Sequence, residues 1–432
     1  MFSLKYLVFP TLNFEKHISR RFLFIKRSPK KKTTRTSVAT SYLMCTQDNG
    51  LYYATFALIV GVSLFYCRKY IRGQRFVENI RADGKIIAIT GANSGIGQAV
   101  TAELNRRGGT VYMLVRDLQR GRDSIERLKK ANCDPDRLIL RYVDLTKLDS
   151  VRNFAKTFSE EVPRLDVLIC NAGVLCVPTF TKTGDGYEKT WQSNYLGHFL
   201  LSELLLPLIS RSSDGRIVNV SSIMYEYGDS VSLNIVNDPS KYGGMMAYSR
   251  SKMAQVMYTR HLAKIIRDKK LPVIVTACHP GGVDSNILRE SGYQWVRVVF
   301  RPLMWFVLKT VEDGAQLPIF LALSEKAHKG NGEYFKDFAI SVVPEKCSNS
   351  AACERLYEES RKAIWYVLCD TTLHTGGILS AASCASGCRL HESILDQCVT
   401  HDPFVDSRSD SCLLCDLVQT RRAPPPSPSS PP

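Results

Sequence analysis

Between residues 84 and 368, short β-branched runs alternate with amphipathic segments of helix length, and this alternation constrains the fold more than any other feature. Strands that alternate with helices are joined by right-handed crossovers, which place them in a parallel sheet with helices on both faces. Apolar residues at 44% and charged residues at 23% are ordinary for a globular protein. The sequence predicts strands at residues 85–90, 110–115, 138–143, 165–170, 216–220 and 273–278.

A segment without any charged residue precedes this domain, at residues 51–67. As a helix that rises 1.5 Å per residue it spans roughly 25 Å, slightly less than the roughly 30 Å hydrocarbon core of a bilayer. Tyrosines lie near both of its ends, and a basic linker at residues 68–83 begins with Arg68, Lys69 and Arg72. Aromatic residues and positive charges are typical of a membrane interface, so we expect a single-pass membrane anchor rather than a buried core helix.

Residues 1–50 form a basic leader that leaves the organelle open. Their basic, hydroxyl-rich composition is similar to that of a mitochondrial presequence. Alternatively, translation starts at Met44, and the positive flank of the anchor then lies on its C-terminal side. That arrangement, which we favour, places the catalytic domain in the cytosol on the endoplasmic reticulum membrane. With the full leader both flanks are basic, and a mitochondrial location stays open.

The net charge of +16 is not evidence for nucleic-acid binding. Residues 1–83 carry 15 Lys or Arg against 4 Asp or Glu, whereas residues 369–432 carry 4 against 7. The excess therefore reflects targeting, and no nucleic acid is expected as a partner. Residues 369–432 are rich in cysteine and proline and predict a disordered tail. The cysteine and histidine spacings in this tail match no common zinc site, so we expect no metal.

A glycine-rich turn follows the first predicted strand and precedes a helical segment. Its sequence is TGANSGIG, at residues 90–97. Glycines let the backbone approach a pyrophosphate, and the start of the helix supplies free N–H groups and the positive end of its dipole. The position after the first strand distinguishes it from an ordinary tight turn. The residues predicted to bind a dinucleotide here are Gly91, Asn93, Ser94, Gly95, Ile96 and Gly97.

The end of the second strand normally decides between NAD and NADP. An acidic residue there binds the ribose 2′-hydroxyl, whereas an arginine accommodates a 2′-phosphate. Val115 stands where the acidic residue is expected, and Arg116 follows it, so we predict NADP(H) as the cofactor. Asp117 is either an alternative ribose ligand or a helix cap. Asp144, after the third strand, either reaches the adenine or caps a helix.

Tyr248 and Lys252 are spaced i, i+4 in a long helical segment, so they share one face. A nearby ammonium lowers the pKa of a phenol, and such a tyrosine can exchange a proton with a carbonyl or alcohol as a hydride moves. Ser222 ends the fifth strand, where it either binds a substrate oxygen or caps a turn. Asn194 is predicted to hold a water linked to Lys252. Loops after the fourth and sixth strands add as cofactor contacts Asn171, Ala172, Gly173, Pro280 and Gly281.

Together these motifs resemble the short-chain dehydrogenase/reductase family, and most of all its membrane-anchored retinol dehydrogenase branch. The resemblance covers about two thirds of the chain and rests on TGANSGIG (90–97), VRD (115–117), CNAG (170–173), NYLGHFLL (194–201), RIVNVSS (216–222), YSRSK (248–252) and HPGGVDS (279–285). It implies a Rossmann-type α/β fold, a doubly wound parallel sheet of about seven strands in a single domain. One departure is Cys170, where the family usually has Asn.

The resemblance also implies a catalytic tetrad of Asn194, Ser222, Tyr248 and Lys252. In the family, the tyrosine is the acid/base and the serine orients the carbonyl. The lysine binds the ribose and lowers the tyrosine pKa, and the asparagine completes a proton relay. The alternative is a catalytically idle protein of this fold that binds lipid or docks a partner, although such proteins usually lose one member of the tetrad.

Residues 286–309 carry many apolar side chains interspersed with arginine, which predicts either a lid over the substrate or plain core packing. An apolar lid favours an apolar substrate taken from a bilayer. The resemblance implies retinal and retinol, and a steroid or another lipid carbonyl fits as well. Reduction is the expected direction. The sequence leaves a homo-oligomer open.

Overall fold

The computed structural model describes residues 35–283 and 301–373, and its centre is one eight-stranded sheet. In chain order the strands are β1 (Ile86–Thr90), β2 (Thr110–Val115), β3 (Leu138–Tyr142), β4 (Val167–Cys170), β5 (Gly215–Val220), β6 (Val273–His279), β7 (Tyr334–Lys336) and β8 (Ala339–Ile340). Their order across the sheet is β3-β2-β1-β4-β5-β6-β7-β8. Within the described residues, only β7 and β8 pair in the antiparallel direction.

The first six strands confirm the doubly wound parallel sheet expected from the sequence. Each begins and ends within two residues of its predicted run. Every residue of β4 and β5 is buried, as a strand covered by helices on both faces requires. The last two strands, β7 and β8, have no counterpart among the predicted runs, because three and two residues are too few to show a period.

The strands alternate with helices along the chain. The helices are α1 (Arg35–Arg72), α2 (Gly95–Arg106), α3 (Leu118–Lys130), α4 (Leu148–Glu161), α5 (Gly197–Ile209), α6 (Gly244–Asp268), α7 (Arg301–Val307), α8 (Val311–Leu323) and α9 (Ser350–Leu373). Short helical turns include Lys189–Trp191, Gln192–Leu196, Ile223–Tyr227, Leu233–Val236 and Glu345–Ser348. The turn Gln192–Leu196 is π-helical and runs directly into α5. Such turns are frequent at functional sites.

Two apolar cores, one on each face of the sheet, hold these layers together. α2 and α8 pack against one face, where Val100, Leu104 and Phe320 are buried. α4, α5, α6 and α9 pack against the other face, around Phe199 and Tyr258. Burial of one large apolar side chain stabilises a fold by roughly 1.5–3 kcal/mol, so these cores contribute more to stability than the exposed ion pairs.

Residues 68–83, predicted as a basic linker, lie against the domain. Phe76 is buried, and its ring meets that of Phe320 edge-on at 5.9 Å. Ala82 is fully buried, and its N–H donates a hydrogen bond to the carbonyl oxygen of Arg107 at 2.8 Å. The residue boundaries of the leader, anchor, linker, domain and tail remain predictions.

The uncharged segment 51–67 lies within α1. The stretch Gly50–Arg72 is long and apolar enough to cross a membrane, judged by its length and composition. The chain divides into two compact units between Cys67 and Arg68. Residues 1–34 of the leader and the cysteine-rich tail after residue 373 lie outside the described residues.

Candidate active site

A cleft of about 590 Å³ opens at the carboxyl ends of the parallel strands. The strand order reverses between β1 and β4, so the loops that follow these strands diverge and leave a crevice. Most of the predicted site residues line it: Gly91, Asn93, Ser94, Gly95, Ile96, Arg116, Asp144, Asn171, Ala172, Gly173, Ser222, Tyr248, Lys252, Pro280 and Gly281. Gly97 and Asn194 are instead buried in the packing around the cleft.

The glycine-rich turn after β1 requires glycine for two different reasons. Gly91 and Gly95 have φ angles of +65° and +56°, in the left-handed region that favours glycine. Gly97 lies within α2, where a Cβ would come 2.4 Å from the carbonyl oxygen of Gly91 and 2.5 Å from Nδ2 of Asn171. The turn therefore packs directly against the loop after β4, and a side chain at Gly97 would force the two apart.

The start of α2 borders the cleft with its backbone N–H groups uncapped. Among the described residues, Ser94 at the N-cap makes no side-chain hydrogen bond to these groups, and the first turn of α2 contains no acidic residue. Unsatisfied N–H groups and the positive end of a helix dipole bind anions such as phosphate. The start of α2 therefore fits the pyrophosphate of a dinucleotide.

Arginines and aspartates border the cleft after β2 and β3. Arg116 is exposed at the cleft edge, and Arg120, one turn further on, also lines the cleft. Asp117 caps α3, since its Oδ1 accepts a hydrogen bond from the N–H of Arg120 at 3.0 Å. Asp144 accepts hydrogen bonds from the N–H and the hydroxyl of Thr146 at 3.0 and 2.7 Å. Both carboxylates thus have local partners, while the arginines bring positive charge to the cleft.

A buried hydrogen-bond network ties β1 to the loop after β4. The hydroxyl oxygen of Thr90 accepts from the N–H groups of Asn171 and Ala172 at 2.9 and 3.0 Å, and lies 2.8 Å from Nε2 of His198. Nδ1 of His198 donates to the carbonyl oxygen of Asn194 at 2.9 Å. Burial lowers the pKa of His198 to about 4, so the ring is neutral. Its Nε2 therefore accepts the proton of the Thr90 hydroxyl.

Tyr248 and Lys252 lie on one face of α6, as predicted, and Nζ of Lys252 is 5.6 Å from the centre of the tyrosine ring. Burial raises the pKa of Tyr248 to about 12, although the hydroxyl of Ser222 opposes this shift. Burial also lowers the pKa of Lys252 to about 7. The expectation that Lys252 draws the tyrosine pKa down is therefore not met. Both shifts favour the neutral forms, because desolvation by burial is the largest cause of each.

Gln255 connects Lys252 with Asn194. Nζ of Lys252 donates to the carbonyl oxygen of Val220 at 2.9 Å and to Oε1 of Gln255 at 3.0 Å. Nε2 of Gln255 donates to the carbonyl oxygen of Asn194 at 2.8 Å. The Asn194 side chain holds the loop after β4, because it accepts from the N–H of Val174 at 2.8 Å and donates to the Val174 carbonyl at 3.0 Å. The Gln255 side chain thus links Lys252 to the backbone of Asn194.

Two serines complete the polar lining of the cleft. Oγ of Ser222 accepts from the N–H of Met224 at 3.3 Å, so Ser222 both caps a turn and lines the cleft beside Tyr248. Ser193 also lines the cleft, and its buried hydroxyl has no hydrogen-bond partner among the residues described. Buried polar groups are normally paired, so the Ser193 hydroxyl is available to hydrogen-bond a polar ligand in the cleft. With the glycine cradle and the uncapped α2, the residues present fit a nicotinamide dinucleotide.

The described part of the predicted lid begins at α7. Met304 and Leu308 line the cleft, while Trp305 is exposed. Lid residues 286–300 lie outside the described residues. Cys170, the departure from the family pattern, is fully buried with its Sγ 3.7 Å from Oγ of Ser202, so it belongs to the core.

Arg120, His198 and Gln255 have no counterpart in the sequence analysis. Gln255 lies three residues after Lys252 in α6, so helical spacing offered a signal for it, whereas Arg116 precedes α3 and offered none for Arg120. His198 acts through its contact with Thr90, which is 108 residues away in the chain, and sequence spacing gives no sign of that contact.

Comparison with known proteins agrees with this geometry. Residues 85–294 match the family described as short chain dehydrogenase. Retinol dehydrogenase 14 of Homo sapiens is 39% identical, covering 64% of this chain and 85% of that protein. Retinol dehydrogenase 12 of Homo sapiens is 36% identical, covering 68% and 90%. A crystal structure of an uncharacterised Mycobacterium paratuberculosis protein aligns with a TM-score of 0.55 at 28% identity, covering 68% and 97%. The chain therefore belongs to the short-chain dehydrogenase/reductase family of nicotinamide-dependent oxidoreductases, in its retinol dehydrogenase branch.

Proposed function

We propose that this protein is a membrane-anchored, NADP(H)-dependent oxidoreductase that interconverts an apolar carbonyl and its alcohol, with retinal and retinol as the first pair to test. The observation that carries the proposal is that one cleft brings together the glycine-rich turn, Arg116 and the side chains of Ser222, Tyr248 and Lys252. The relatives are named as retinol dehydrogenases, which favours a retinoid over a steroid or another lipid carbonyl.

Tyr248 is the group proposed to exchange a proton with the substrate oxygen. A nicotinamide, when bound, supplies or accepts the hydride. With its pKa raised to about 12, Tyr248 is a neutral phenol at neutral pH, which is the form that donates a proton to an oxygen gaining negative charge. The site therefore favours reduction. Because Oγ of Ser222 accepts from Met224, the serine proton can point at the carbonyl and orient it. Lys252 is proposed to bind the ribose.

The cofactor half of the cleft is proposed to select NADP(H) by charge. Arg116, just before α3, and Arg120, in its first turn, both line the cleft, and two guanidinium groups suit a 2′-phosphate. The ribose carboxylate typical of NAD-binding sites has no counterpart at Val115, and Asp117 is engaged in capping α3.

The Tyr248→Phe variant tests the chemistry. In the full chain in detergent, supplied with NADPH and all-trans-retinal, we expect turnover to fall by roughly 100- to 10,000-fold, because one proton-transferring hydroxyl is removed. Dinucleotide binding, measured by calorimetry, should persist. Tyr142→Phe, at an exposed tyrosine of β3, is the matched control and should leave turnover unchanged. Negligible activity of the wild type on a broad carbonyl panel would instead favour the idle lipid-binding or docking protein.

The Arg116→Asp variant tests the cofactor assignment. Losing a charge-assisted contact worth about 1.5–3 kcal/mol should weaken NADPH binding by roughly tenfold or more and shift the preference toward NADH. Arg122→Asp makes the same charge change on an exposed position of α3 and should leave the preference intact. If the wild type already prefers NADH, the assignment is wrong.

The membrane anchor is proposed from the apolar stretch Gly50–Arg72. We place it in the endoplasmic reticulum with the catalytic domain in the cytosol. Tagged chains that begin at Met1 and at Met44 test this, since only the longer chain carries the basic leader. Both reaching the endoplasmic reticulum would support the proposal, whereas import of the chain that begins at Met44 into mitochondria would contradict it.

A further inference from the structure

Arg68 contacts the segment that forms one wall of the cleft. Nη1 of Arg68 donates to the carbonyl oxygens of Leu308 at 2.7 Å and Phe306 at 3.3 Å. Its guanidinium also lies 5.0 Å from the centre of the Trp305 ring, within the range of a cation–π contact. Three contacts therefore hold Arg68 against the end of α7.

A second set of contacts fixes the next residues of the chain to α8. The carboxylate of Asp313 has a side-chain exposure of 1% and accepts from Nε of Arg72 at 2.9 Å and from Arg75 at 3.3 Å. Although burial raises the pKa of Asp313, hydrogen bonds from Arg72 and Thr310 hold it below its usual value, so the carboxylate is ionised at neutral pH. The N–H of Phe76 donates to Oε1 of Gln316 at 3.0 Å. Arg68, Arg72, Arg75 and Phe76 thus hold this segment against α7 and α8.

α7 carries two exposed apolar side chains. Trp305 is 62% exposed and Val307 is 51% exposed, and Tyr70, on the docked segment, is 87% exposed. Tryptophan and tyrosine are enriched at membrane–water interfaces, where one part of the ring system is apolar and the polar tip remains wet. On the same short helix and just after it, Met304 and Leu308 line the cleft.

We propose that Trp305 and Val307 lie in the headgroup region of the membrane that holds the anchor, so that the cleft opens beside the bilayer. This rests on the membrane anchor of the proposed function. Arg68 is the first charged residue after the uncharged segment 51–67, so it stands where the hydrocarbon core ends. Each headgroup layer is roughly 5–8 Å thick, and the Trp305 ring is 5.0 Å from Arg68. Trp305 therefore lies at the same depth.

This placement gives an apolar substrate a short path. A substrate dissolved in the bilayer passes Trp305 and reaches Met304 and Leu308 at the cleft wall without crossing bulk water. Trp305 is then an entry residue that touches lipid, and not a member of the catalytic machinery.

Fluorescence quenching by brominated lipid tests the contact. The full chain is reconstituted in phosphatidylcholine vesicles whose acyl chains carry bromine close to the headgroup. Trp305→Phe should remove a large part of the lipid-quenchable emission. Trp191→Phe is the matched control, because Trp191 is buried and its Nε1 has no partner within the described chain, so this change should leave the quenchable emission intact. Unchanged quenching in Trp305→Phe overturns the proposal.

Two further measurements separate this proposal from the anchor itself. Flotation of the wild type with vesicles reports the anchor, and a wild type that does not float refutes both. Trp305→Ser should raise KM for retinal dissolved in vesicles roughly tenfold, while KM for a water-soluble short-chain aldehyde stays unchanged. An equal rise for both substrates would show that Trp305 shapes the cleft instead, and would overturn the membrane contact.

Discussion

We expect Gln255 to influence how much positive charge Lys252 carries. Its Oε1 accepts from the lysine Nζ and so favours the ammonium, whereas burial has lowered the lysine pKa to about 7. In Gln255→Leu the acceptor is lost, so we expect the Lys252 pKa to fall further. Activity at pH 7 should drop roughly tenfold, with the high-pH limb of the kcat/KM profile moving to lower pH.

Gln255→Glu is the informative counterpart of that change. A carboxylate beside Nζ favours the ammonium, so the same limb should move to higher pH. Profiles of kcat/KM against pH, measured at saturating NADPH for the wild type and both variants, provide the check. Equal losses in the two variants with unshifted limbs would show that Gln255 only fills space.

We expect that even alanine, the smallest side chain, is not tolerated in place of Gly97. Alanine normally stabilises a helix relative to glycine, but here its Cβ would meet the Gly91 carbonyl oxygen at 2.4 Å. We expect Gly97→Ala to lower the free energy of unfolding by about 1–3 kcal/mol and to weaken dinucleotide binding. Gly184→Ala, where nothing lies within 4 Å of the added carbon, should change stability by less than about 0.5 kcal/mol. Thermal unfolding and calorimetry compare the two, and equal effects would contradict the packing argument.

Residue type and spacing were sufficient to predict which of these side chains line the cleft. Arg116 ends a strand, and Tyr248 and Lys252 share a helix face, so local pattern alone predicts that they line one cleft. Their protonation could not be predicted in this way. It depends on burial, and burial depends on β5 and on the loop after β4, which are distant in the chain. The contact between His198 and Thr90 could not be predicted from the sequence for the same reason.

At the scale of elements, the contact of α9 with α5 and α6 includes a partly buried carboxylate. Oε1 of Glu203 accepts from the Tyr258 hydroxyl at 2.9 Å, and Oε2 accepts from the Tyr357 hydroxyl at 2.8 Å. Burial raises the pKa of Glu203, although the hydrogen bonds from Tyr357 and Tyr258 oppose the shift. The folded protein therefore holds the Glu203 proton more tightly than the unfolded chain does.

This shift has a defined sign in the stability of the protein. The contribution of Glu203 is complete below its ordinary pKa of 4.5 and is lost as pH rises through the folded-state value. In Glu203→Gln that decline disappears, so the free energy of unfolding of the variant relative to wild type should grow as pH rises above 4.5. Urea unfolding between pH 4 and 8 measures it. Glu359→Gln, at an exposed position of α9, should give a flat difference. A flat difference for Glu203→Gln as well would show that its burial has no such cost.

Long elements were predictable, and short or docked ones were not. The strands β1 to β6 have enough consecutive β-branched and aliphatic residues to show their period. β7 pairs with β6, and β8 pairs with β7. These two short strands depend on that pairing, which the local sequence does not predict. The docking of residues 68–76 likewise depends on Asp313, which lies more than two hundred residues further along the chain.

At the scale of the whole molecule, α9 completes the core on one face of the sheet. It buries Leu356, Tyr357 and Ile364 against α5 and α6. At roughly 1.5–3 kcal/mol for each large side chain, this is comparable to the 5–15 kcal/mol that stabilises a typical domain. A chain that ends at Asn349 should therefore fail to give a cooperative unfolding transition and should bind a hydrophobic dye.

A chain that ends at Leu373 is the control for that truncation. Every described contact of α9 lies before this residue, so its unfolding transition should coincide with that of the full chain. Differential scanning calorimetry of the three proteins makes the comparison. A cooperative transition in the shorter truncation would contradict the role given to α9.

The position of α9 at the end of the described chain also determines when the protein can reach its native state during synthesis. The apolar segment 51–67, from which the membrane anchor is proposed, leaves the ribosome while most of the catalytic domain is still untranslated. The surface of α5 and α6 that α9 covers stays open until the last codons of that helix have been read. Until then, the nascent chain exposes the apolar surface of α5 and α6, and such intermediates are prone to aggregate unless chaperones bind them.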